Sequence, residues 1–264
     1  MANLLSVIGY VGTGLVIGAY APQIWHLWTE HCSAGISERA YAIWALASAL
    51  FLGHNSRKEG SIVMVTRGFI GRQDSSDQRS RIPPGQHVVT DFPVLSAGPT
   101  PRIRTDDWTF TLKVGPRAVA KWNWAEFNAL PQTKMTRDIH CVTTWSKFNT
   151  LWDGVLIDDL LGEANLEPPT AYTLAHSYGG YSTNVPSADL TGGKAMVATK
   201  YAGQPLTAEH GGPARLLVPH LYFWKSAKWV NALQFTERDE LGFWELRGYH
   251  RYGDPWREQR YTND

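Results

Sequence analysis

Cysteine occurs only twice, at Cys32 and Cys141, and Cys141 stands in the run Asp138-Ile139-His140-Cys141-Val142-Thr143-Thr144-Trp145-Ser146, between an imidazole and an indole. Two cysteines exclude a disulfide framework, and a sharp change of composition between them speaks against a Cys32 to Cys141 bridge. Two uses of the thiol remain. Deprotonated, it is a soft metal ligand; protonated and buried, it is small apolar filler, the commoner fate of a lone cysteine. The other groups able to do chemistry are His140, His176, His210, Arg215 and Lys228. Each has an ordinary alternative: a hydrogen-bonded core position for a histidine, an internal ion pair for Arg215, a solvated surface site for Lys228.

The elements that must position these groups differ sharply along the chain. From residue 67 onward, short alternating runs are bounded by Gly, Pro, Asn and Asp, the signature of a strand-rich domain. Strands are predicted at 109–114, 195–201, 214–218 and 230–235, and short helices at 124–129 and 156–163. Residues 73–84 read as a surface lead-in. With no internal repeat, this half is of the α+β class. At 264 residues with 43% hydrophobic composition the chain can bury one sizeable core plus something extra. A formal charge of +1 and no long block of like charge exclude a nucleic-acid surface. Tryptophans at 224, 229, 244 and 256 suit an aromatic wall around a buried group, as well as ordinary core packing.

The first quarter is of another kind. Residues 4–24 contain no charge over 21 positions, about the ~20 that a helix needs to cross a bilayer core. They lack a signal peptide's basic start and cleavage site. A second apolar stretch, 40–53, is marginal for a span at 14 residues. The text between, Pro22-Gln23-Ile24-Trp25 and Ser33-Ala34-Gly35-Ile36-Ser37, resembles the PQ-loop of small sugar and amino-acid transporters. The third helix of that repeat is missing, so the likeness implies a truncated unit rather than a pore. Arg57, Lys58, Arg67 and Arg72 follow the second stretch, against Arg39 alone in the intervening loop. The expectation is a catalytic part on the cytoplasmic side, tethered to the inner face of the cell membrane through residues 4–53. Met64 offers an alternative start, so 1–63 reads equally as a genuine membrane segment or as a fusion or start-site artefact. The domain boundaries expected are 1–56, a linker at 57–66, and 67–264.

Four blocks in order carry a second resemblance: residues 91–99 (DFPVLSAGP), the cysteine run, Ala175-His176-Ser177-Tyr178-Gly179-Gly180-Tyr181, and residues 210–229 (HGGPARLLVPHLYFWKSAKW). Over roughly 64–264 the chain resembles the molybdopterin-binding domain of the sulfite oxidase family, in particular its short bacterial branch. The resemblance implies Mo-molybdopterin as cofactor, with Cys141 supplying the protein thiolate to molybdenum. It implies that His210 and Arg215 flank a Gly-Gly-Pro turn against the pterin and its phosphate, that Ser226, Ala227 and Lys228 form a second phosphate-side cluster, and that Thr90 and Phe92 contact the pterin. His176 matches a cofactor-contacting position, and His140 adjoins the ligand; either could orient the transferred oxygen or pass protons.

One departure bears on substrate. Animal and plant sulfite oxidases follow their cysteine with an arginine-bearing stretch, whereas this chain has Val142-Thr143-Thr144-Trp145-Ser146-Lys147. Trp145 in place of a countercharge points toward a sulfoxide or another small oxo substrate, with Lys147 the one cation able to compensate for sulfite. The tail Gly248-Tyr249-His250-Arg251-Tyr252-Gly253-Asp254-Pro255-Trp256-Arg257 either closes one side of the funnel or simply packs. Neither a haem motif nor a nucleotide loop is present, so electrons are expected to pass to or from a separate partner. The function expected is oxygen-atom transfer on a small sulfoxide-like or sulfite-like substrate. The rival is a PQ-loop transporter or sensor half with a regulatory C-terminal domain.

Overall fold

The computed structural model describes residues 79–264; the expectations made for 1–66, including both apolar stretches, lie outside the described residues. Among the described residues no helix is long and apolar enough to cross a membrane.

Two sheets build the domain. One contains β1 (His87–Val88), β4 (Thr133–His140), β5 (Trp145–Leu156), β8 (Met196–Tyr201), β9 (Gln204–Pro205) and β10 (Arg215–Leu217), in the order β1-β5-β8-β10, with β4 added to β5 and β9 to β8. The other has the order β3-β2-β11-β6-β7, from β2 (Thr109–Val114), β3 (Arg117–Asn123), β6 (Tyr172–Ser177), β7 (Ser182–Pro186) and β11 (Val230–Thr236). β1 with β5 and β2 with β11 pair in parallel, and the other pairings are antiparallel. Both sheets are therefore mixed, and with two short helices they make the α+β class expected.

Local sequence explains the elements that were legible. In β2, Phe110 and Leu112 alternate with polar neighbours and are fully buried, the period of a half-buried strand. Helix α1 (Trp124–Ala129) starts at Asn123, whose side chain accepts from the Glu126 amide while Glu126 accepts from the Asn123 amide, a reciprocal capping box. Helix α2 (Ile157–Glu163) buries Ile157, Leu160 and Leu161 on one face. All six predicted elements occur, displaced by no more than a residue at either end.

The strands not anticipated are as instructive. β4 and β5 form the longest hairpin, but the register shifts between Arg137 and Ile139 and Asn149 takes a left-handed φ of 53° within β5. Each irregularity breaks the two-residue period by which a strand is recognised. Residues 141–144 join these two strands and carry the cysteine.

Candidate functional site

Cys141 sits at the tip of the β4–β5 hairpin. Its amide donates to the Trp145 carbonyl (2.8 Å) and its carbonyl accepts from the Thr144 amide (3.0 Å), closing a turn in which Thr144 takes a φ of 73°. The side chain is 7% exposed, and Sγ lies 3.1 Å from Thr143 Oγ1. Burial pushes the thiol above its ordinary range, against hydrogen bonds from Thr143 and Val142 and the charge of Arg260. Sγ borders a cavity of about 550 Å³.

Across that cavity stands Arg215, on β10 and 1% exposed. Its Nη1 donates to the His210 carbonyl (2.9 Å) and Nη2 to the Ser226 carbonyl (2.8 Å). Its plane lies over Phe223, 4.1 Å from the centroid. Among the described residues no carboxylate pairs with it, and Nε has no partner. The internal ion pair that was its alternative role is thus not formed. Burial lowers its pKa to about 9, which still leaves it cationic at neutral pH. A buried guanidinium with an open N–H and no counterion is costly unless an anion completes it.

Lys228 adds a second cation to the same wall. Its Nζ donates to the carbonyls of Leu95 (2.6 Å) and Glu209 (2.5 Å) and to Ser96 Oγ (3.1 Å), so it is held rather than solvated. Burial and then the Arg215 charge lower its pKa to about 8. His210 Nδ1 is buried without a partner among the described residues; burial, then Arg215 and Lys228, lower its pKa. Phe92 stacks on that ring, centroids 4.0 Å apart at 12°. Gly211 turns the chain at a φ of 104°, and a Cβ there would lie 3.0 Å from Lys228 and 3.1 Å from Arg215. The glycine is what lets the two cations close on one another.

Indoles and phenyls supply the remaining wall. Tyr181, Phe223, Trp224, Trp229, Trp244 and Tyr249 border the cavity with Trp145. The Trp145 indole is 5% exposed, and its Nε1 has no partner among the described residues.

Eight of the candidate residues therefore meet on one cavity: Phe92, Cys141, Trp145, His210, Arg215, Ser226, Ala227 and Lys228. Three do not. His176 was expected to touch the cofactor, but it lies in β6, paired with Ala232 of β11, and its Nε2 meets Gln234 Oε1 at 2.8 Å. The cavity takes Tyr178 to Tyr181 from the turn beyond, because the strand continues through Ser177 before the chain bends. His140 points away from the cavity, its Nδ1 2.8 Å from Ser146 Oγ, with a pKa lowered to about 4 mainly by burial. Successive residues of a strand face opposite sides, and here Cys141 leaves the strand while His140 remains in it. Thr90 is exposed and uses its carbonyl to accept from Lys147 Nζ at 2.5 Å. Lys147 is thereby committed outside the cavity and offers its lining no charge.

The tail does border the cavity through Tyr249, while Trp256 packs edge-on against His140 at 6.2 Å. Trp224, Trp229 and Trp244, which the sequence left between an aromatic wall and ordinary core, border the cavity, whereas Trp256 does not line it. Their signal was the late clustering of tryptophan, which does not separate a wall from a core.

A buried cysteine and a buried guanidinium, with no carboxylate partner among the described residues, thus border one cavity. Residues 97–244 match the oxidoreductase molybdopterin binding domain family, and residues 4–62 match the PQ loop repeat. The chain is 40% identical over 197 residues to the uncharacterized oxidoreductase YuiH of Bacillus subtilis (strain 168), an alignment covering 74% of this chain and all of that one. It is 29% identical over 181 residues to YedZ1 of Azospira oryzae, named as a candidate protein-methionine-sulfoxide reductase subunit, covering 67% of this chain and 68% of that one. The sulfane dehydrogenase SoxCD of Paracoccus pantotrophus superposes with a TM-score of 0.47 at 21% identity, over 53% of this chain and 40% of that one. The chain belongs to the oxidoreductase molybdopterin-binding domain family and is a molybdopterin-dependent oxidoreductase.

Proposed function

We propose that this protein transfers an oxygen atom to or from a small, neutral oxo substrate of the sulfoxide type, using Mo-molybdopterin held by Cys141 and exchanging electrons with a separate partner. The observation that carries this reading is the convergence of Cys141, the unpaired Arg215 and the unpartnered Trp145 Nε1 on one mostly aromatic cavity.

The residues fit the cofactor. Arg215 Nε and His210 Nδ1 are the open guanidinium and ring nitrogens for a phosphate, to which Arg215 and Lys228 bring charge, and Gly211 lets backbone approach it. Cys141 would give the soft donor; since burial favours its thiol form, loading must expel a proton. When bound, the group supplies two-electron redox chemistry that moves one oxygen atom between substrate and water.

The chain's own part is binding and orientation. Trp145 Nε1 offers its proton to the substrate oxygen, and the aromatic wall excludes water around it. A dianion such as sulfite would need a countercharge that Lys147 does not bring, whereas a sulfoxide needs only a donor for its polar S–O bond. The name of the Azospira relative supports the same substrate class.

The test is turnover by the cofactor-loaded protein with reduced or oxidised dyes, across a sulfoxide panel and sulfite. Sulfoxide turnover without sulfite turnover supports the reading. Cys141→Ser should retain pterin and lose turnover, while Cys32→Ser changes nothing; equal activity of wild type and Cys141→Ser would defeat the mechanism.

We also propose the division 1–56, 57–66 and 67–264, with 4–53 as a tether and the catalytic domain cytoplasmic. The PQ loop match and the basic residues after 53 support it. Residues 64–264 alone should then be soluble and loaded with cofactor; aggregation of that piece beside a loaded full chain would refute the division.

A further inference from the structure

We infer that Arg260, in the C-terminal tail, is a positioning residue for the Cys141 thiolate, holding the hairpin turn and placing a fixed positive charge against the residue next to it. The inference rests on the reading of Cys141 as the metal ligand.

The turn 141–144 closes on the backbone bonds at Cys141, and three of its carbonyls also accept from far along the chain, that of Thr144 from the His87 amide. Arg260 Nη1 donates to the Val142 carbonyl at 2.6 Å, and Gln86 Nε2 donates to the Cys141 carbonyl at 3.0 Å. The two residues belong to segments that are themselves pressed together. Gly85 takes a φ of 68°, and a Cβ there would stand 3.2 Å from Arg260 Nη2 and 3.0 Å from Glu258 Oε1. No other residue type would let that turn come so near the guanidinium without strain.

Arg260 is also fixed at its own end. Its amide donates to Asp264 Oδ2 (2.9 Å), and its carbonyl accepts from the His250 amide (3.1 Å) beside the bridge between Tyr249 and Tyr261. The side chain is 15% exposed and lies over the Tyr222 ring at 5.2 Å. Its carboxylate neighbour, Glu258, is 3.8 Å away, too far for a hydrogen bond. The guanidinium thus meets the hairpin at the residue next to Cys141, with Glu258 near enough to attract it but not hydrogen-bonded to it.

A fixed cation behind a metal thiolate draws electron density from the sulfur and favours the more reduced metal; backbone bonds from outside the ligand shell also set ligand orientation. Shape and charge can be separated. Glutamine at 260 can still donate to the Val142 carbonyl but brings no charge, and lysine keeps the charge without the planar fork.

The experiment compares Arg260→Gln, Arg260→Lys and wild type as full-length, cofactor-loaded proteins. Molybdenum content, the Mo(V) spectrum in a redox titration, and kcat and KM are read together. Arg260→Gln should keep its molybdenum, titrate at a more negative potential with an altered Mo(V) spectrum, and lose roughly 10- to 100-fold in kcat with KM little changed. Arg260→Lys should restore most of the potential. A wild-type potential and spectrum in Arg260→Gln overturns the inference, as does an equal shift in both variants. If Arg260→Gln fails to load, Arg260→Lys decides: loading at the wild-type potential supports the proposal, and failure of both assigns the residue to folding and overturns it. Cys141→Ser run alongside separates the two levels, because a wild-type Mo(V) spectrum there removes the ligand assignment itself, whatever Arg260 does.

Discussion

Two buried cations, Arg215 and Lys225, flank the same stretch of chain and meet opposite fates. Lys225 is fully buried, and its Nζ lies within 2.9 Å of four acceptors: Glu245 Oε1, the side chain and carbonyl of Asn184, and the Arg251 carbonyl. Burial lowers its pKa and Glu245 pushes back. Glu245 Oε1 also accepts from Thr183 and from Trp224 Nε1, so the pair ties the tail to β7 and to the cavity wall. Arg215 has two carbonyls and, among the described residues, one open N–H and no carboxylate. Both charges cost desolvation on folding; in one case the protein provides the compensating anion, and in the other none comes from the described residues, which is the place the proposed function gives to a ligand. The difference distinguishes a girder from a binding site more surely than burial does, since both residues are buried.

That contrast can be broken at several points. The largest effect belongs to Arg215→Met: pterin retention should fall by two orders of magnitude or more, the roughly 3–5 kcal/mol of a buried charge partner. Cofactor-free protein should meanwhile unfold in urea within about 1 kcal/mol of wild type, because a similar volume replaces an uncompensated charge. Retention like wild type would take Arg215 out of the site. Glu245→Leu should do the reverse and strand Lys225, with urea unfolding showing a loss of about 3–5 kcal/mol. Adding Lys225→Met should return most of it. If Glu245→Leu costs no more than a surface substitution, the girder role is wrong.

A smaller effect is expected at Lys228, whose folded pKa is depressed to about 8. Its charge is present below that pH and lost as pH rises through it. Sulfate, which does not titrate in this range, should bind the cofactor-free protein roughly twofold more weakly at pH 8 than at pH 7, before Arg215, at about 9, begins to discharge, and Lys228→Gln should flatten the dependence over that interval; calorimetric titration at both pH values reads it. The smallest change should follow His176→Gln, which keeps a partner for Gln234 outside the cavity. Turnover within about twofold of wild type, the size of a roughly 0.5 kcal/mol effect, is expected, and a tenfold loss would restore His176 to the catalytic list.

The placement of His176 shows where linear reading stops. Its block is correct as a block, since Tyr178, Gly179, Gly180 and Tyr181 all border the cavity. The member bearing the most chemistry is held in the strand instead, against Gln234. A motif marks a neighbourhood along the chain, while the direction of each side chain depends on where the strand ends. Arg260 and Gln86 show the same limit from the other side. Neither stood out in type or spacing, and each matters only because the C-terminal tail and the 83–86 turn pack behind the cysteine hairpin.

By itself the order of residues determined the strand-rich class, the capped helix at Asn123, the thiol at 141 and the glycine turn before Arg215. Each of these depends on local conformational preference or on a residue type at one position, which distant contacts do not need to supply. Tertiary structure decided which cation is paired and which is open, which indole keeps a free N–H, and which histidines are excluded from the cavity. Pairing, desolvation and the facing of side chains are properties of segments brought together from across the chain, and no local pattern encodes the partner that will arrive or the one that will be missing.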